Sequence, residues 1–341
     1  MKAAVLFGPG DLRITDFPEP KLERDGVKIA VAYCGLCGTD FHKFAGKGGS
    51  RPVTYPVPLG HEVSGVVVDV GEDVTAFQRG DRVTVDPNWS CGQCWYCRSG
   101  KRHLCSHSRG VVKGMAEYVC PPQENVYRLP DTLSLAAAAL TEPLSCCLHG
   151  VDQLGIQMGE VAAIVGLGAI GQLMLQLCRR CTDKVVVIEP IEEKRKAAME
   201  LGAALFINPN TEDAGETLRR AGISCVEKVI ECGGNPSAVE LALDIAGRGA
   251  TVVLFGVGDR DSVVPFRQYD AFAKELTIRT SYINPYTTSR AIELLNQGVI
   301  DMEHTVSGVI GLEELPQEIV SRRYSRMGKV LVRIGTDIDE V

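Results

Sequence analysis

Four cysteines stand within fifteen residues: Cys91, Cys94, Cys97 and Cys105, spaced C-x2-C-x2-C-x7-C. Such spacing lets one loop set several thiolates on a tetrahedron around a metal, at the ~2.3 Å bonds zinc makes to sulfur. Gly92 and Gly100 supply the turns that loop needs. Four thiolates and no other ligand make a closed shell, the mark of structural zinc. Iron–sulfur clusters also take four cysteines, but this spacing does not match the ferredoxin runs. A second set lies upstream, in Cys37-Gly38-Thr39-Asp40-Phe41-His42 and Gly60-His61-Glu62. Thiolate, imidazole and carboxylate form a three-ligand set that leaves a position open, and open zinc is a Lewis acid for a substrate oxygen. Spacing alone does not show that residues 37 and 61 meet; taken alone, His61 reads as a satisfied structural histidine.

A third motif concerns a cofactor. Gly166-Leu167-Gly168-Ala169-Ile170-Gly171 is G-x-G-x-x-G, placed after an apolar strand and at the start of a helix, with Glu189 ending the next strand 23 residues on. That context is the dinucleotide-binding fingerprint. Gly166 allows the tight turn, Gly168 clears the approach of the pyrophosphate, and Gly171 brings helix against strand. The helix N-terminus offers free N–H groups to the phosphates. Glu189 should accept the ribose hydroxyls and repel a 2′-phosphate, which favours NAD over NADP. Lys194 and Arg195 weigh the other way, as cations able to bind that phosphate or as solvated helix charges. Further cofactor candidates end later strands: Cys232, Phe255-Gly256-Val257 and Ser281-Tyr282.

The elements that position these residues fall into two textures. The first ~145 residues read as β-rich, with strands over Val27–Cys34, Val63–Val70 and Arg82–Asp86. Turn residues crowd 46–58, and a helical stretch over Leu133–Leu154 is interrupted at Pro143. Strands and helices then alternate. Strands are expected over Glu160–Val165, Lys184–Glu189, Cys225–Glu231, Thr251–Val257 and Glu275–Tyr282. Helices are expected over Ala169–Cys181, Glu192–Leu201 and Ser237–Ala246. This is the βαβ pattern of a parallel sheet. A helix over Thr287–Gln297 and strands over Thr305–Ile310 and Lys329–Ile334 close the chain.

The chain has 341 residues, 45% apolar and 23% charged, enough for two domains with their own cores. The charge is 36 − 43 = −7 and no dense basic cluster appears, which argues against a nucleic-acid partner. No apolar run reaches a membrane span and the N-terminus lacks a secretory signal, so a cytoplasmic, thiol-reducing setting is expected. Thirteen cysteines are then ligands and small apolar fillers. The fillers are Cys34, Cys120, Cys146, Cys147, Cys178, Cys181, Cys225 and Cys232.

In combination these features resemble one family. Gly60-His61-Glu62-x2-Gly65-x5-Gly71 resembles the zinc-alcohol-dehydrogenase signature. Together with Cys37-Gly-Thr-Asp, the four-cysteine lobe and the glycine-rich loop, in that order, it resembles the zinc-dependent medium-chain dehydrogenase/reductase family along essentially the whole chain. The resemblance implies an α/β protein: a GroES-like β-rich catalytic domain (1–147 and 286–341) and a doubly wound Rossmann cofactor domain (148–285), with the active site in the cleft. Glu62 after His61, with Glu142-Pro143-Leu144, is similar to the sorbitol and polyol dehydrogenase branch. There the catalytic zinc would be held by Cys37, His61 and Glu62, with Glu142 beside the metal through water or as a direct ligand. Thr39 would relay the substrate proton and His42 continue the relay or contact the cofactor; Asp40 would orient a ligand. The competing reading of Cys37–Asp40 is a plain turn.

Two departures from that branch bear on substrate. Lys43 stands where a Tyr is usual, and Ile283-Asn284 aligns with an Arg–aromatic pair, which makes Lys43 and Asn284 substrate candidates. A cation at position 43 resembles galactitol-1-phosphate dehydrogenases and suggests an anionic substrate group; the alternative is a lysine facing solvent. The expected activity is NAD-dependent oxidation of a secondary hydroxyl of a polyol, sugar or sugar phosphate, with one catalytic and one structural zinc and a homo-oligomeric assembly, dimer or tetramer. Two other readings stay open: an L-threonine 3-dehydrogenase, which shares Cys-Gly-Thr-Asp-x-His, and a non-enzymatic scaffold that kept the fold.

Overall fold

The computed structural model describes residues 1–47 and 53–335. The expected turns at Gly48, Gly49, Ser50 and Pro52 lie outside the described residues. The chain forms two compact units. The first comprises Met1–Ser145, Asn284–Gly298 and the chain from Val306 onward; the second comprises Cys146–Ile283 and Val299–Thr305.

The first unit is built on a seven-stranded sheet. Its path runs Val126–Arg128, Arg82–Val85, Glu62–Val70, Val27–Leu36, Lys329–Arg333, Val306–Gly311, and Tyr118–Val119 adds to the Val27–Leu36 strand. The central strand VKIAVAYCGL is buried along most of its length, as an alternation of β-branched and small residues with neighbours on both edges requires. Val27, Ile29, Val31, Val63, Val67, Val83, Val85 and Val330 pack there with Leu59 and Met115. A hairpin of Lys2–Gly8 and Asp11–Asp16, not anticipated from the sequence, lies in a separate three-stranded sheet.

The second unit is a six-stranded parallel sheet. In chain order its strands are Ala162–Val165, Val185–Ile188, Leu205–Ile207, Lys228–Glu231, Thr251–Leu254 and Thr277–Thr280, arranged 3-2-1-4-5-6. That order is the doubly wound dinucleotide-binding arrangement. The adjacent strands AAIV and VVVI, each with a strand on either side, are buried throughout because helices cover both faces.

Several elements differ from the sequence reading. The 133–154 stretch is two helices, Leu135–Ala138 and Thr141–Leu154. Pro143 sits in the first turn of the second, where a missing N–H costs nothing, so the break precedes it. Cys37–Asp40 opens the helix Gly38–Phe44, with Cys37 at its N-cap, and is not a plain turn. The last parallel strand begins at Thr277 because Glu275 is left-handed, at φ 52°. Residues 299–305 belong with the second unit: Gln176 donates to Thr305 Oγ1 at 2.9 Å and accepts from the Asp301 N–H at 2.6 Å. All thirteen cysteines are free thiols; of the eight expected fillers, Cys34, Cys147 and Cys178 are buried and the other five are half-buried.

Candidate active site and cofactor site

The two cysteine-bearing clusters lie in the first unit. Cys91, Cys94, Cys97 and Cys105 bring their sulfurs within 4.8 Å of one another. The backbone assembles them: Cys94 caps the short helix Trp95–Arg98, and Gly92 and Gly100 take positive φ in the turns on either side. Backbone N–H groups of Cys97 and Ser106 bring the Cys94 thiol down to about 6. Burial and its sulfur neighbours push Cys97 up to about 12. Four thiolates cannot share this space without a cation, and a tetrahedral zinc fits the donor set.

The second cluster joins distant segments. Cys37 Sγ, a His61 ring nitrogen and a Glu62 carboxylate oxygen lie within 4.8 Å of one another. Asp40, fully buried, ties the two segments together: its carboxylate accepts from the Cys37 N–H at 3.1 Å and from the Gly60 N–H at 3.2 Å. Gly60, at φ 86°, has no room for a Cβ between Cys34 and Met115. Glu62 is 1% exposed, at the start of its strand. Burial, then Glu62, push the Cys37 thiol up to about 11. Thr39 Oγ1 is 3.7 Å from Cys37 Sγ, and His42 lies one helical turn on, half-buried. Glu142, in the first turn of Thr141–Leu154, is electrostatically coupled to His61, Glu62 and Cys37; burial pushes its carboxyl up to about 8. Thiolate, imidazole and carboxylate fit zinc, and the metal would supply positive charge to a substrate oxygen.

One member of this cluster escaped the sequence reading. Lys329, 2% exposed on the Lys329–Arg333 strand, ion-pairs with Glu62 and donates to the Leu36 carbonyl at 3.2 Å. In sequence it is one lysine in a strand 267 residues away, with no motif around it. Its only signal is a charge ahead of the apolar run Val330–Val332 in the strand KVLVR, whose other charge, Arg333, is exposed.

The substrate candidates divide. Lys43 is half-buried in the last turn of Gly38–Phe44, with no ion-pair partner among the described residues. Asn284 does not stand free for substrate. It is 3% exposed, accepting from Asn88 Nδ2 at 2.9 Å and reaching Thr288 Oγ1 at 3.5 Å. It anchors a loop in which Ile283 and Tyr286 are both left-handed.

In the second unit the cofactor candidates gather at the carboxyl ends of the parallel strands. Gly166 turns at φ 96°, and a Cβ on Gly171 would collide with the Gly166 carbonyl. Gly168 faces open space and begins the eleven-residue helix Ala169–Arg179, which has no side-chain cap; Ile170 is half-buried in its first turn. Glu189, at 4% exposure, accepts from the Leu167 N–H at 2.6 Å and the Ile191 N–H at 3.0 Å. Lys194 Nζ lies 3.7 Å from it and donates to the Leu167 carbonyl at 3.0 Å. Both residues therefore grip the glycine loop. Glu231, whose backbone carbonyl accepts from Phe255 and Gly256, places the Gly234 turn through its carboxylate. Cys232 is half-buried, its thiol pushed well up by burial; Val257 and Tyr282 are exposed. An uncapped helix N-terminus, an open glycine and a sheet-end carboxylate fit a dinucleotide.

Comparison with known proteins places this fold and site. Residues 23–131 match the alcohol dehydrogenase GroES-like domain and 169–297 match the zinc-binding dehydrogenase domain. Sorbitol dehydrogenase of Bacillus subtilis is 31% identical, covering 92% of this chain and 91% of that one. D-arabitol-phosphate dehydrogenase of Enterococcus avium is 32% identical, over 92% of each. L-threonine 3-dehydrogenase of an Anaeromyxobacter species is 30% identical, over 98% and 100%. Among solved structures, a zinc-binding dehydrogenase of Sinorhizobium meliloti bound to NADP superposes with TM-score 0.91 at 36% identity, covering 97% and 98%. The chain belongs to the zinc-dependent medium-chain dehydrogenase/reductase family, in its polyol dehydrogenase-like part. It is an NAD(P)-dependent oxidoreductase.

Proposed function

We propose that the protein oxidises a secondary hydroxyl of a polyol, sugar or sugar phosphate, passing a hydride to NAD and a proton to solvent. The observation that carries this is the Cys37–His61–Glu62 set with a buried, readily protonated Glu142 beside it. Cys37, His61 and Glu62 would hold a zinc whose Lewis acidity lowers the pKa of the substrate hydroxyl. Thr39 takes the hydroxyl proton as its own passes on to His42, while Glu142, buried beside the ligand set, is a further proton acceptor. Cys91, Cys94, Cys97 and Cys105 would hold a second zinc, which four thiolates would close to substrate. Glu189 favours NAD over NADP by its charge, against Lys194 beside it, a cation that would attract a 2′-phosphate. Lys43 reads the anionic end of a phosphorylated polyol.

The same reading carries a homo-oligomer. The edge strand Thr277–Thr280 is exposed throughout, and Phe266, Tyr269 and Phe272 stand out of the chain just before it, Phe272 at 80% exposure. Residues 257–282 hold four acidic and four basic side chains in a chain of net −7, so two copies can meet there without repulsion. No helix among the described residues is long and apolar enough to cross a membrane.

A second reading, L-threonine oxidation, draws on the Cys37-Gly-Thr-Asp-x-His42 string and the threonine dehydrogenase relatives. The test is initial NADH or NADPH formation with pentitols, hexitols, their monophosphates and L-threonine. We expect turnover of polyols or their phosphates with NAD. Turnover of threonine alone would replace this reading with the second, and no turnover at all would favour a retired scaffold.

A further inference from the structure

Lys329 and Glu62 lie on strands that are not neighbours. Between them runs Val27–Leu36, which pairs with the Glu62 strand on one side and the Lys329 strand on the other. Gly35 on that middle strand is paired with Glu62 across one edge and with Leu331 across the other. Cross-strand partners share a face, and so do residues two apart, so Glu62, Gly35 and Lys329 all project to the same side. A side chain at Gly35 would fill the space where the two meet: its Cβ would collide with the Glu62 carboxylate and stand 3.0 Å from Lys329 Cε. The missing side chain on the central strand is what lets an acid and a base reach across it.

The pair is buried to 1% and 2% exposure, and an ammonium so placed is retained only where something holds it. Lys329 is held by both Glu62 oxygens and the Leu36 carbonyl. Glu62 also lies within ligand distance of Cys37 and His61. Its carboxylate therefore has two claimants, the ammonium and the metal. A thiolate and a carboxylate balance a divalent cation by themselves. Lys329 adds a positive charge and draws the carboxylate's charge away from the metal.

We propose that Lys329 is a positioning residue that keeps Glu62 a weak, displaceable zinc ligand, so that the fourth position stays available to a substrate oxygen, with Gly35 providing the gap that allows it. This rests on the zinc reading of the Cys37 cluster. If Lys329 weakens a ligand, its removal tightens the metal; if it only fills space, its removal loosens the site.

The test is the rate at which a chelator such as EDTA removes the more labile zinc from the folded holoenzyme, alongside the visible spectrum of the cobalt-substituted protein. In Lys329→Met we expect zinc release slowed about tenfold or more, of the order that ligand-supporting residues command. We also expect a cobalt spectrum shifted toward a fixed oxygen ligand and a fall in kcat greater than any change in KM. Lys329→Arg restores the parent's behaviour. In a Glu62→Gln background the lysine substitution has no effect on release. Should Lys329→Met fail to accumulate, Lys329→Gln keeps a donor to Glu62 and Leu36 while removing the charge. Zinc release at the parent rate or faster in the neutral variants, with fold intact, would overturn the proposal. So would an equal effect in the Glu62→Gln background. A parent with one tightly held zinc and no labile one would instead defeat the zinc reading itself, and this inference with it.

Discussion

The two cysteine-bearing clusters of the first unit reach similar donor sets by different routes. The lobe at 91–105 is a local object: four thiols on one loop, positioned by the loop's own backbone N–H groups and by glycines at its turns. The cluster at Cys37, His61 and Glu62 is assembled from a helix N-cap and the entry to a strand, with a buried aspartate as tie and a lysine from the end of the chain as counter-charge. Closure by like ligands gives a centre that holds. Mixed ligands, one of them contested by an ammonium, would give a centre that can exchange. On the proposed reading, the difference would be that between a zinc that supports a fold and a zinc that does chemistry.

Substitutions that strike one cluster and spare the other test the contrast. Cys37→Ser should lower turnover by about 10³-fold or more, since a Lewis acid contributes several kcal/mol to the transition state. The same protein should keep its circular dichroism and its lobe zinc; activity unchanged in a protein lacking the labile zinc would break the contrast. Asp40→Ala removes the acceptor for two backbone N–H groups, at about 1–3 kcal/mol for each left unsatisfied. It should weaken the Cys37-site zinc about 10–100-fold, in the range of residues that orient ligands, while leaving the lobe zinc in place. Metal titration of the variant measures both. Cys94→Ser should act in reverse. Loss of the lobe zinc should lower Tm by about 4–8 °C, the shift that ~2 kcal/mol produces in a domain of this size, with kcat per folded molecule near that of the parent. A Cys94→Ser protein inactive at low temperature but fully folded would show that the lobe also serves the chemistry.

The same contrast explains what could be read from the amino-acid sequence. The lobe was legible in full because all its ligands fall in fifteen residues. The glycine loop was legible because a strand, a turn and a helix are contiguous, and the βαβ spacing carried the parallel sheet with it. Cys37, His61 and Glu62 were visible as candidates, but that they meet depends on Asp40 spanning residues 37 and 60, which spacing does not encode. The role of Lys329 was not legible, because its partner is reached only when two strands flank a glycine on a third. Asn284 was legible only as a position aligned to a substrate motif; that its amide meets Asn88 and Thr288 depends on contacts that only the folded chain brings about. Edges shifted where one residue turned left-handed, as at Glu275, or where a proline suits a helix's first turn, as at Pro143.

The contrast between the clusters reduces to two proposed zinc centres of unlike lability in one chain. Metal analysis of the purified protein during timed exposure to a chelator tests it most directly, with dehydrogenase activity followed in the same samples. Two zincs per chain are expected at the start, with activity falling in step with loss of the first and the second retained until the fold is disturbed. A single zinc per chain, or two lost together with activity indifferent to the first, would contradict it.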